Sequence, residues 1–250
     1  MSKNFNLYSQ YYDLLYEDKD YGVETTYVDR LIKRYHPKSN YILELGSGTG
    51  KHANLLAQLG YQVHGLERSA EMVEIANQNK KQNVNFEHGD ITDFSISLSF
   101  DISLSLFHVI SYLTDNKSLT STFKNVHKHL NEGGLFIFDV WHSAAVNFQV
   151  PEKRVKSLQN DTIGITRTAN PIIYSELNVV EVNYDVAVKD LKDGSTQFFQ
   201  EQHPMRHFSR PEIELLAYAT GFEVIHNEEF LSQATPSVET WGVCYILKKL

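Results

Sequence analysis

The sequence predicts a doubly wound α/β fold, with a mostly parallel, seven-stranded sheet and an antiparallel β-meander inserted after the fifth strand. Between residues 41 and 140, short apolar runs alternate with segments of helical period. This alternation is typical of a parallel sheet with helices on both faces. From about residue 150 to 207 the polarity alternates at every second residue, as in half-exposed antiparallel strands. Helical period returns at residue 209, and two further strand-like segments follow.

Composition narrows the class of protein. Of the 250 residues, 42% are hydrophobic and 22% charged, which is typical of a globular chain. We find neither an apolar run near the ~20 residues of a membrane span nor a signal-peptide core. The one cysteine, Cys244, excludes a disulfide framework, and these features favour a cytoplasmic protein. The net charge of −8 and the lack of a Lys/Arg cluster disfavour nucleic acid, so we expect a small-molecule substrate.

The elements can be predicted in order along the chain. A tyrosine-rich N-terminal segment, read as a packed helix or as a lid, precedes a helix over 22–35 that ends at His36-Pro37. Helices of apolar period separate the strands that follow, and Ser69 is the predicted N-cap of one of them. The first five strands are predicted at 41–45, 61–66, 84–88, 100–106 and 135–140.

The remainder of the chain divides into a meander and a second α/β segment. Asp193-Gly194 is a hairpin turn signal within the meander. Ser209-Arg210-Pro211-Glu212 is typical of a capping box at a helix start, and strands at 222–229 and 240–248 complete the sheet. We therefore expect residues 1–149 and 208–250 to form one domain. Residues 150–207 would form the inserted meander, which covers the active site, contacts a second copy in a homodimer, or does both.

The first strand ends in three glycines at alternate positions, Gly46, Gly48 and Gly50, preceded by Glu44. A strand, a glycine turn and a helix together form a nucleotide-binding crevice at the carboxyl edge of a parallel sheet. The dinucleotide pattern G-x-G-x-x-G places its third glycine one residue later. A carboxylate at Glu44 would also repel a pyrophosphate, whereas it suits an ammonium or sulfonium group. Glu67 ends the second strand and can accept both hydroxyls of a ribose.

This pattern resembles the first motif of the class I S-adenosylmethionine-dependent methyltransferases, E/D-x-G-x-G-x-G, followed by an acidic ribose ligand. The resemblance implies a Rossmann-like methyltransferase fold, S-adenosylmethionine as cofactor and methyl transfer as the reaction. Glu44 would lie near the methionyl ammonium, and the turn residues would surround the methionine arm. Those turn residues are Gly46, Ser47, Gly48 and Gly50.

Other cofactor contacts are expected around the crevice, each with a structural alternative. His52 would reach the cofactor carboxylate or be solvated, and Arg68 would lie along the adenine or on the surface. Met72 would form the floor of the adenine pocket or belong to the core. Asp90 would accept from the adenine amino group or form an Asx turn, with the Ile91 N–H directed to a ring nitrogen.

The fourth strand runs into Leu106-Phe107-His108-Val109-Ile110-Ser111-Tyr112-Leu113, where ligands bind in open α/β sheets. Leu106 and Phe107 are therefore expected beside the transferred methyl group. Phe107 replaces the Asn/Asp-Pro-Pro start seen in some enzymes that methylate amide or ring amino nitrogens, which disfavours such acceptors. His108 and Tyr112 are the candidate bases, and a structural histidine is the alternative.

A second resemblance covers most of the chain. Four local stretches are similar to bacterial N,N-dimethyltransferases that act on nucleotide-linked amino-deoxysugars, although Val140 and His142 depart from that family's Pro-Trp-Trp-like stretch. The resemblance implies that Tyr21 contacts the cofactor carboxylate. It also implies an acceptor pocket lined by Tyr12, Tyr16, Tyr112, Trp141, Arg206 and His207. The stretches are Tyr12–Tyr16 with Asp20-Tyr21, Phe107 with Tyr112-Leu113, Asp139–Trp141, and His203–Ser209.

Metal chemistry is not expected. His203 and His207 are four residues apart on a predicted strand, which separates their side chains by ~13 Å, and the neighbouring sequence lacks a carboxylate or thiol to complete a ligand set. Two alternatives to the amino-sugar hypothesis stay open at this point. One is methylation of another small molecule, such as an amino acid or a phenol, and the other is a non-catalytic protein that binds S-adenosylmethionine.

Overall fold

The computed structural model describes Leu14, Leu15 and residues 19–250. Two of the predicted acceptor residues, Tyr12 and Tyr16, lie outside the described residues. The chain divides into two compact units. The α/β unit contains residues 21–149 and 206–250, and the meander unit contains residues 150–205 together with the described part of the first twenty residues.

The α/β unit is built on a mostly parallel sheet, as predicted. Its five parallel strands lie in the order β3-β2-β1-β4-β5, and two C-terminal strands reverse direction. Strand β11 pairs antiparallel with β5, and β10 pairs antiparallel with β11. The strands are β1 (Tyr41–Leu45), β2 (Gln62–Glu67), β3 (Val84–His88), β4 (Phe100–Ser105), β5 (Leu130–His142), β10 (Phe222–Glu229) and β11 (Gly242–Lys249).

Helices cover both faces of this sheet. Along β5, Phe136 and Phe138 belong to one buried cluster, whereas Leu135 and Ile137 belong to the other. This alternation is the period of two for a strand buried on both faces, so the fold is doubly wound. The helices are α1 (Tyr21–Tyr35), α2 (Lys51–Gln58), α3 (Ala70–Asn79), α4 (Asn116–His129), α5 (Ser143–Gln149) and α6 (Arg210–Ala219).

Two local predictions differ in outcome. Ser69 caps α3 as predicted, because its Oγ accepts from the Met72 N–H at 3.3 Å. The predicted capping box at Ser209 is wrong: the Ser209 side chain makes no cap hydrogen bond. Glu212, its expected partner, instead forms an ion pair with Arg206, and Pro211 in the first turn helps to start α6.

The meander unit contains long antiparallel strands in the order β6-β7-β8-β9. Gly194 adopts a φ of 73° in the β8–β9 turn, which the Asp193-Gly194 signal predicted. A small core joins Ile163, Val186 and Val188 to Leu14 and Leu15. The strands are β6 (Arg154–Gln159), β7 (Ile163–Tyr174), β8 (Val179–Asp190) and β9 (Thr196–Phe208).

The described residues contain eleven strands, of which seven form the predicted sheet of the α/β unit and four belong to the meander. The last residues of β9 belong to the α/β unit and pair with the end of β5, where Trp141 lies opposite His207. In the part of the chain that the structure describes, we find no helix with the length and apolar character needed to cross a bilayer.

Candidate active site

The glycine turn lies at the carboxyl end of β1, and its three glycines all have positive φ, at 69°, 54° and 77° for Gly46, Gly48 and Gly50. A Cβ on Gly46 would lie 2.7 Å from Val109 Cγ2, and one on Gly50 would lie 2.2 Å from Phe86 Cζ. A Cβ on Gly48 would meet nothing within 4 Å. Packing therefore requires Gly46 and Gly50, while Gly48 borders open space that a ligand can fill.

Glu67 joins this turn to the loop after β2. One carboxylate oxygen accepts from the Gly48 N–H at 2.9 Å, and the other accepts from the Ser69 N–H at 2.8 Å. Each oxygen keeps a second lone pair, so both can still accept from vicinal hydroxyls. The carboxylate predicted to bind the ribose is thus held in place by two backbone amides.

Ser47 gives a further indication that a ligand completes the turn. Its side chain is 7% exposed, and within the described residues its Oγ has no hydrogen-bond partner. A buried hydroxyl is normally paired, because leaving it unpaired costs roughly 1–3 kcal/mol. The unpaired Ser47 Oγ and the open space beside Gly48 both fit the aminoacyl arm of S-adenosylmethionine.

The predicted ammonium ligand, Glu44, is 2% exposed on β1 and lies beside a buried histidine. His52 Nδ1 is 3.7 Å from Glu44 Oε1, and His52 Nε2 is 2.7 Å from Glu24 Oε2. His52 is therefore buried rather than solvated, and its two ring nitrogens face the protein's own carboxylates, Glu24 and Glu44. Glu24 is a residue that sequence reasoning missed, since a side-chain pair 28 positions apart leaves no periodic signal.

Tyr21 belongs to the same group of side chains. Its ring centroid is 5.0 Å from that of His52, and the Lys51 ammonium lies 4.9 Å from the Tyr21 ring centroid. The start of α1 and the start of α2 thus bring Tyr21, Glu24 and His52 together. Tyr21 was predicted to contact the methionyl carboxylate, and its placement next to Lys51 is compatible with that role.

On the adenine side, Asp90 forms the Asx turn that was the structural alternative. Its Oδ1 accepts from the Thr92 N–H at 2.8 Å and from the Thr92 hydroxyl at 2.7 Å. The backbone hydrogen bond from Thr92 lowers the pKa of Asp90, and Arg68 adds to this effect. Met72 is half-buried in the first turn of α3, and Ile91 packs against a core cluster.

The loop after β4 is strained. Phe107 and His108 have φ of 65° and 60°, a left-handed conformation that costs of order 1–3 kcal/mol at each residue other than glycine. Leu106, immediately before them, is 4% exposed within the core. Phe107 itself is 40% exposed. Strain of this kind persists only where neighbouring contacts enforce it.

Asp139 supplies those contacts. This β5 carboxylate is 1% exposed and accepts from the His108 backbone N–H at 3.2 and 3.3 Å to its two oxygens. His108 Nδ1 also lies 2.7 Å from Asp139 Oδ2, although off the line of the ring N–H. A carboxylate beside Nδ1 favours a proton there and leaves Nε2 as an acceptor. Asp139 was noted in the sequence as an acid near Trp141, but its pairing with His108 was missed.

Aromatic side chains surround His108. Its ring centroid lies 6.3 Å from that of Trp141 and 6.2 Å from that of Phe107. Tyr112 follows in a 3-10 turn (Val109–Tyr112) and is 45% exposed. The structure thus brings His108, Phe107 and Trp141 together at the carboxyl ends of β4 and β5. Tyr112 lies one short turn further along the chain.

Arg206 and His207 are engaged within the protein. Arg206 donates to Asn116 Oδ1 at 2.8 Å and pairs with Glu212, so a ligand phosphate would have to compete with that carboxylate. His207 is 1% exposed, and its Nδ1 is 2.8 Å from Ser143 Oγ. Burial lowers the pKa of His207, and the nearby Arg206 adds to the shift. The His207 side chain therefore meets Ser143 in the interior rather than an open pocket.

In the described ranges, 14–15 and 19–250, we find no cluster of three or more His, Cys, Asp or Glu side chains that could hold a metal ion. Two buried carboxylates on the strands that flank β4, Glu44 on β1 and Asp139 on β5, instead each lie beside a histidine. The site is suited to binding cations and to moving a proton.

Comparison with known proteins agrees with this geometry. Residues 42–134 match a family model described as a methyltransferase domain. The chain contains a methyltransferase domain. A dTDP-3-amino-3,6-dideoxy-alpha-D-glucopyranose N,N-dimethyltransferase from Streptomyces fradiae is 29% identical over 218 residues, which cover 86% of this chain and 84% of that protein.

Solved structures show the same fold. An S-adenosylmethionine-dependent methyltransferase from Clostridium acetobutylicum superposes with a TM-score of 0.81 at 22% identity, covering 99% of both chains. CalS10, an amino pentose methyltransferase from Micromonospora echinaspora solved with S-adenosylmethionine bound, gives 0.78 at 20% identity and covers 97% of this chain and 96% of its own. The predicted fold class is thus confirmed, and the matched domain and the Streptomyces relative support the predicted methyltransferase activity.

Proposed function

We propose that this methyltransferase transfers a methyl group from S-adenosylmethionine to the amino group of a nucleotide-linked amino-deoxysugar. The Streptomyces relative, whose name specifies an amino-sugar substrate and which covers most of the chain, supports this acceptor class. The observation that carries the chemistry is the His108–Asp139 pair at the ends of β4 and β5. An amine attacks only in its neutral form, so a base at this place would deprotonate the acceptor ammonium.

The cofactor would be held by the side chains around the glycine turn. Glu44 would bind the methionyl ammonium, Glu67 the ribose hydroxyls, and Tyr21 with Lys51 the carboxylate. When bound, S-adenosylmethionine supplies a methyl group on a sulfonium that is already activated. The turn residues Gly46, Ser47, Gly48 and Gly50 would surround the methionine arm. The remaining proposed contacts are Arg68, Met72, Asp90 and Ile91 around the adenine, and Leu106 and Phe107 beside the transferred methyl group.

The protein's own contribution is to align the acceptor and to remove its proton. Well-oriented reactants can gain about 7–11 kcal/mol relative to the reaction in solution. His108 Nε2 would accept a proton from the acceptor ammonium, while Asp139 stabilises the imidazolium that results. The faces of Trp141, Phe107 and Tyr112 would favour the cationic amine product through cation–π attraction.

A panel of thymidine-diphosphate amino-sugars, incubated with enzyme and S-adenosylmethionine, tests the acceptor. Mass increases of one or two methyl groups on a sugar amine are the expected result. Methylation of an amino acid or a phenol, with every sugar unchanged, would replace the proposed acceptor class. Cofactor binding with no turnover of any acceptor in the panel would favour the non-catalytic alternative.

The meander unit and the cell compartment are further parts of the proposal. We assign residues 150–207 to acceptor cover or to a homodimer contact, and exposed Phe198, Ile172 and Ile173 on these strands suit either role. The single, buried Cys244 is compatible with a reducing cytoplasm. Light scattering of the purified protein, with Phe198→Glu as the variant, distinguishes a dimer contact from acceptor cover.

A further inference from the structure

Three side chains from three elements meet below the methionine end of the proposed cofactor site. Glu24 comes from α1, His52 from α2 and Glu44 from β1. All three residues are buried, and their side chains are at most 12% exposed. A buried imidazole between two buried carboxylates has few ways to distribute its protons, so each nitrogen can be examined in turn.

The short contact decides the orientation of the ring. His52 Nε2 lies 2.7 Å from Glu24 Oε2, a length typical of a charge-assisted N–H···O bond. Nε2 therefore carries a hydrogen that it donates to Glu24. In the neutral ring, Nδ1 is then a hydrogen-bond acceptor, and it lies 3.7 Å from Glu44 Oε1.

Two acceptors at that separation can be bridged by a single group that has at least two hydrogens to donate. An ammonium group has three N–H donors, and a single –NH₃⁺ between Nδ1 and Oε1 can donate to both. A hydroxyl has one donor and would satisfy only one of the two atoms. We propose that His52 Nδ1 is, with Glu44, a binding residue for the methionyl ammonium, and that Glu24 is the positioning residue that holds His52 in the required tautomer.

This inference rests on the proposed role of Glu44. Among the described residues, the charged and titratable groups that face His52 are Glu24 and Tyr21 from α1, Glu44 from β1, and Lys51 from α2 through the Tyr21 ring.

S-adenosylhomocysteine carries the same ammonium, does not react, and is the probe of choice. An α-amino group has a reference pKa of about 7.7–8.0, which keeps the ligand ammonium charged at pH 7.

Titration calorimetry at pH 7 measures the affinity for this probe. We expect H52F to bind S-adenosylhomocysteine about tenfold more weakly than the wild type, the scale of one hydrogen bond to a charged group. H52N places an amide oxygen near the Nδ1 position and should restore affinity. Equal losses in H52F and H52N would mean a packing role only and would overturn the inference.

Glu24 is tested by rescue with its amide. E24A removes the acceptor for the Nε2–H and should weaken binding of the probe, whereas E24Q keeps an acceptor there and should restore the affinity. E87A is the matched control, since Glu87 faces another buried histidine, His64, at 3.2 Å on β2 and β3. Wild-type affinity in E24A, equal losses in E24A and E24Q, or the same loss in E87A would contradict the positioning role.

Two further outcomes separate this inference from its premises. If E44Q binds the probe with wild-type affinity, the proposed role of Glu44 is wrong, and the role of His52 is wrong with it. If E44Q is weakened while H52F is not, only the present inference is overturned. The acceptor assignment is independent, because the amino-sugar panel can give no product while every binding result holds.

Discussion

The carboxyl edge of the sheet has a cofactor half, at the end of β1, and an acceptor half, at the ends of β4 and β5. Both halves contain left-handed backbone, but they achieve it by different means. At the end of β1, the left-handed residues Gly46, Gly48 and Gly50 are glycines, for which positive φ carries no steric cost. At the end of β4, Phe107 and His108 adopt it despite their side chains. The cofactor half is therefore set by local sequence, whereas the acceptor half depends on a contact from β5, that of Asp139.

Substitution of two glycines in the cofactor half should give the largest difference in stability. G50A adds a Cβ that would lie 2.2 Å from Phe86 Cζ at positive φ, and we expect it to lower the free energy of unfolding by about 3 kcal/mol or more. G48A, which meets open space, should lose only about 1–2 kcal/mol yet bind the cofactor weakly. Urea denaturation and calorimetry measure both; equal stability of the two variants would contradict the packing argument.

In the acceptor half, the contact between Asp139 and His108 can be weakened without changing the size of the side chain. D139N keeps an oxygen for the His108 backbone N–H but loses the charge beside Nδ1, so kcat should fall about 10²-fold, the lower range for a general base. The dissociation constant of S-adenosylhomocysteine should not change. Steady-state kinetics over pH 6–9 is the measurement, and a D139N rate equal to wild type would remove the base from the mechanism.

What could be predicted from the sequence divides in the same way, into features encoded locally and contacts between distant residues. The glycine turn after β1, the N-cap at Ser69 and the alternation of strands and helices could be inferred because spacing and residue type encode them locally. The partners Glu24–His52 and His108–Asp139 join residues 28 and 31 positions apart, and their pairing depends on how elements pack. Arg206 shows the converse: a basic residue in a predicted pocket is instead paired with Glu212, a contact that the capping-box pattern concealed.

Low pH should reduce the stability of the folded protein through His207, a buried residue of the acceptor half that lies opposite Trp141. Burial lowers the pKa of this imidazole in the folded state, whereas the unfolded chain takes up the proton near pH 6.5. Its stabilisation is thus present above about pH 6.5 and lost as pH falls toward the folded-state pKa, at up to about 1.4 kcal/mol per pH unit. Urea midpoints at pH 5–7 should fall less steeply in H207Q than in wild type, with exposed His88→Gln as control.

The smallest expected effect tests the strain itself. Asn tolerates the left-handed region better than Phe, and Phe107 is 40% exposed, so F107N should lose little burial and relieve part of the backbone cost. We expect the free energy of unfolding to rise by about 0.5–1 kcal/mol, which is part of the roughly 1–3 kcal/mol that one strained residue costs, while activity falls because an aromatic face is lost beside His108. The matched variant is F198N, an exposed phenylalanine on β9 in ordinary strand conformation, which should not gain stability. A loss of stability in F107N equal to that in F198N would mean that the β4 loop is not strained, and the contrast between the two halves would then reduce to their residue types alone.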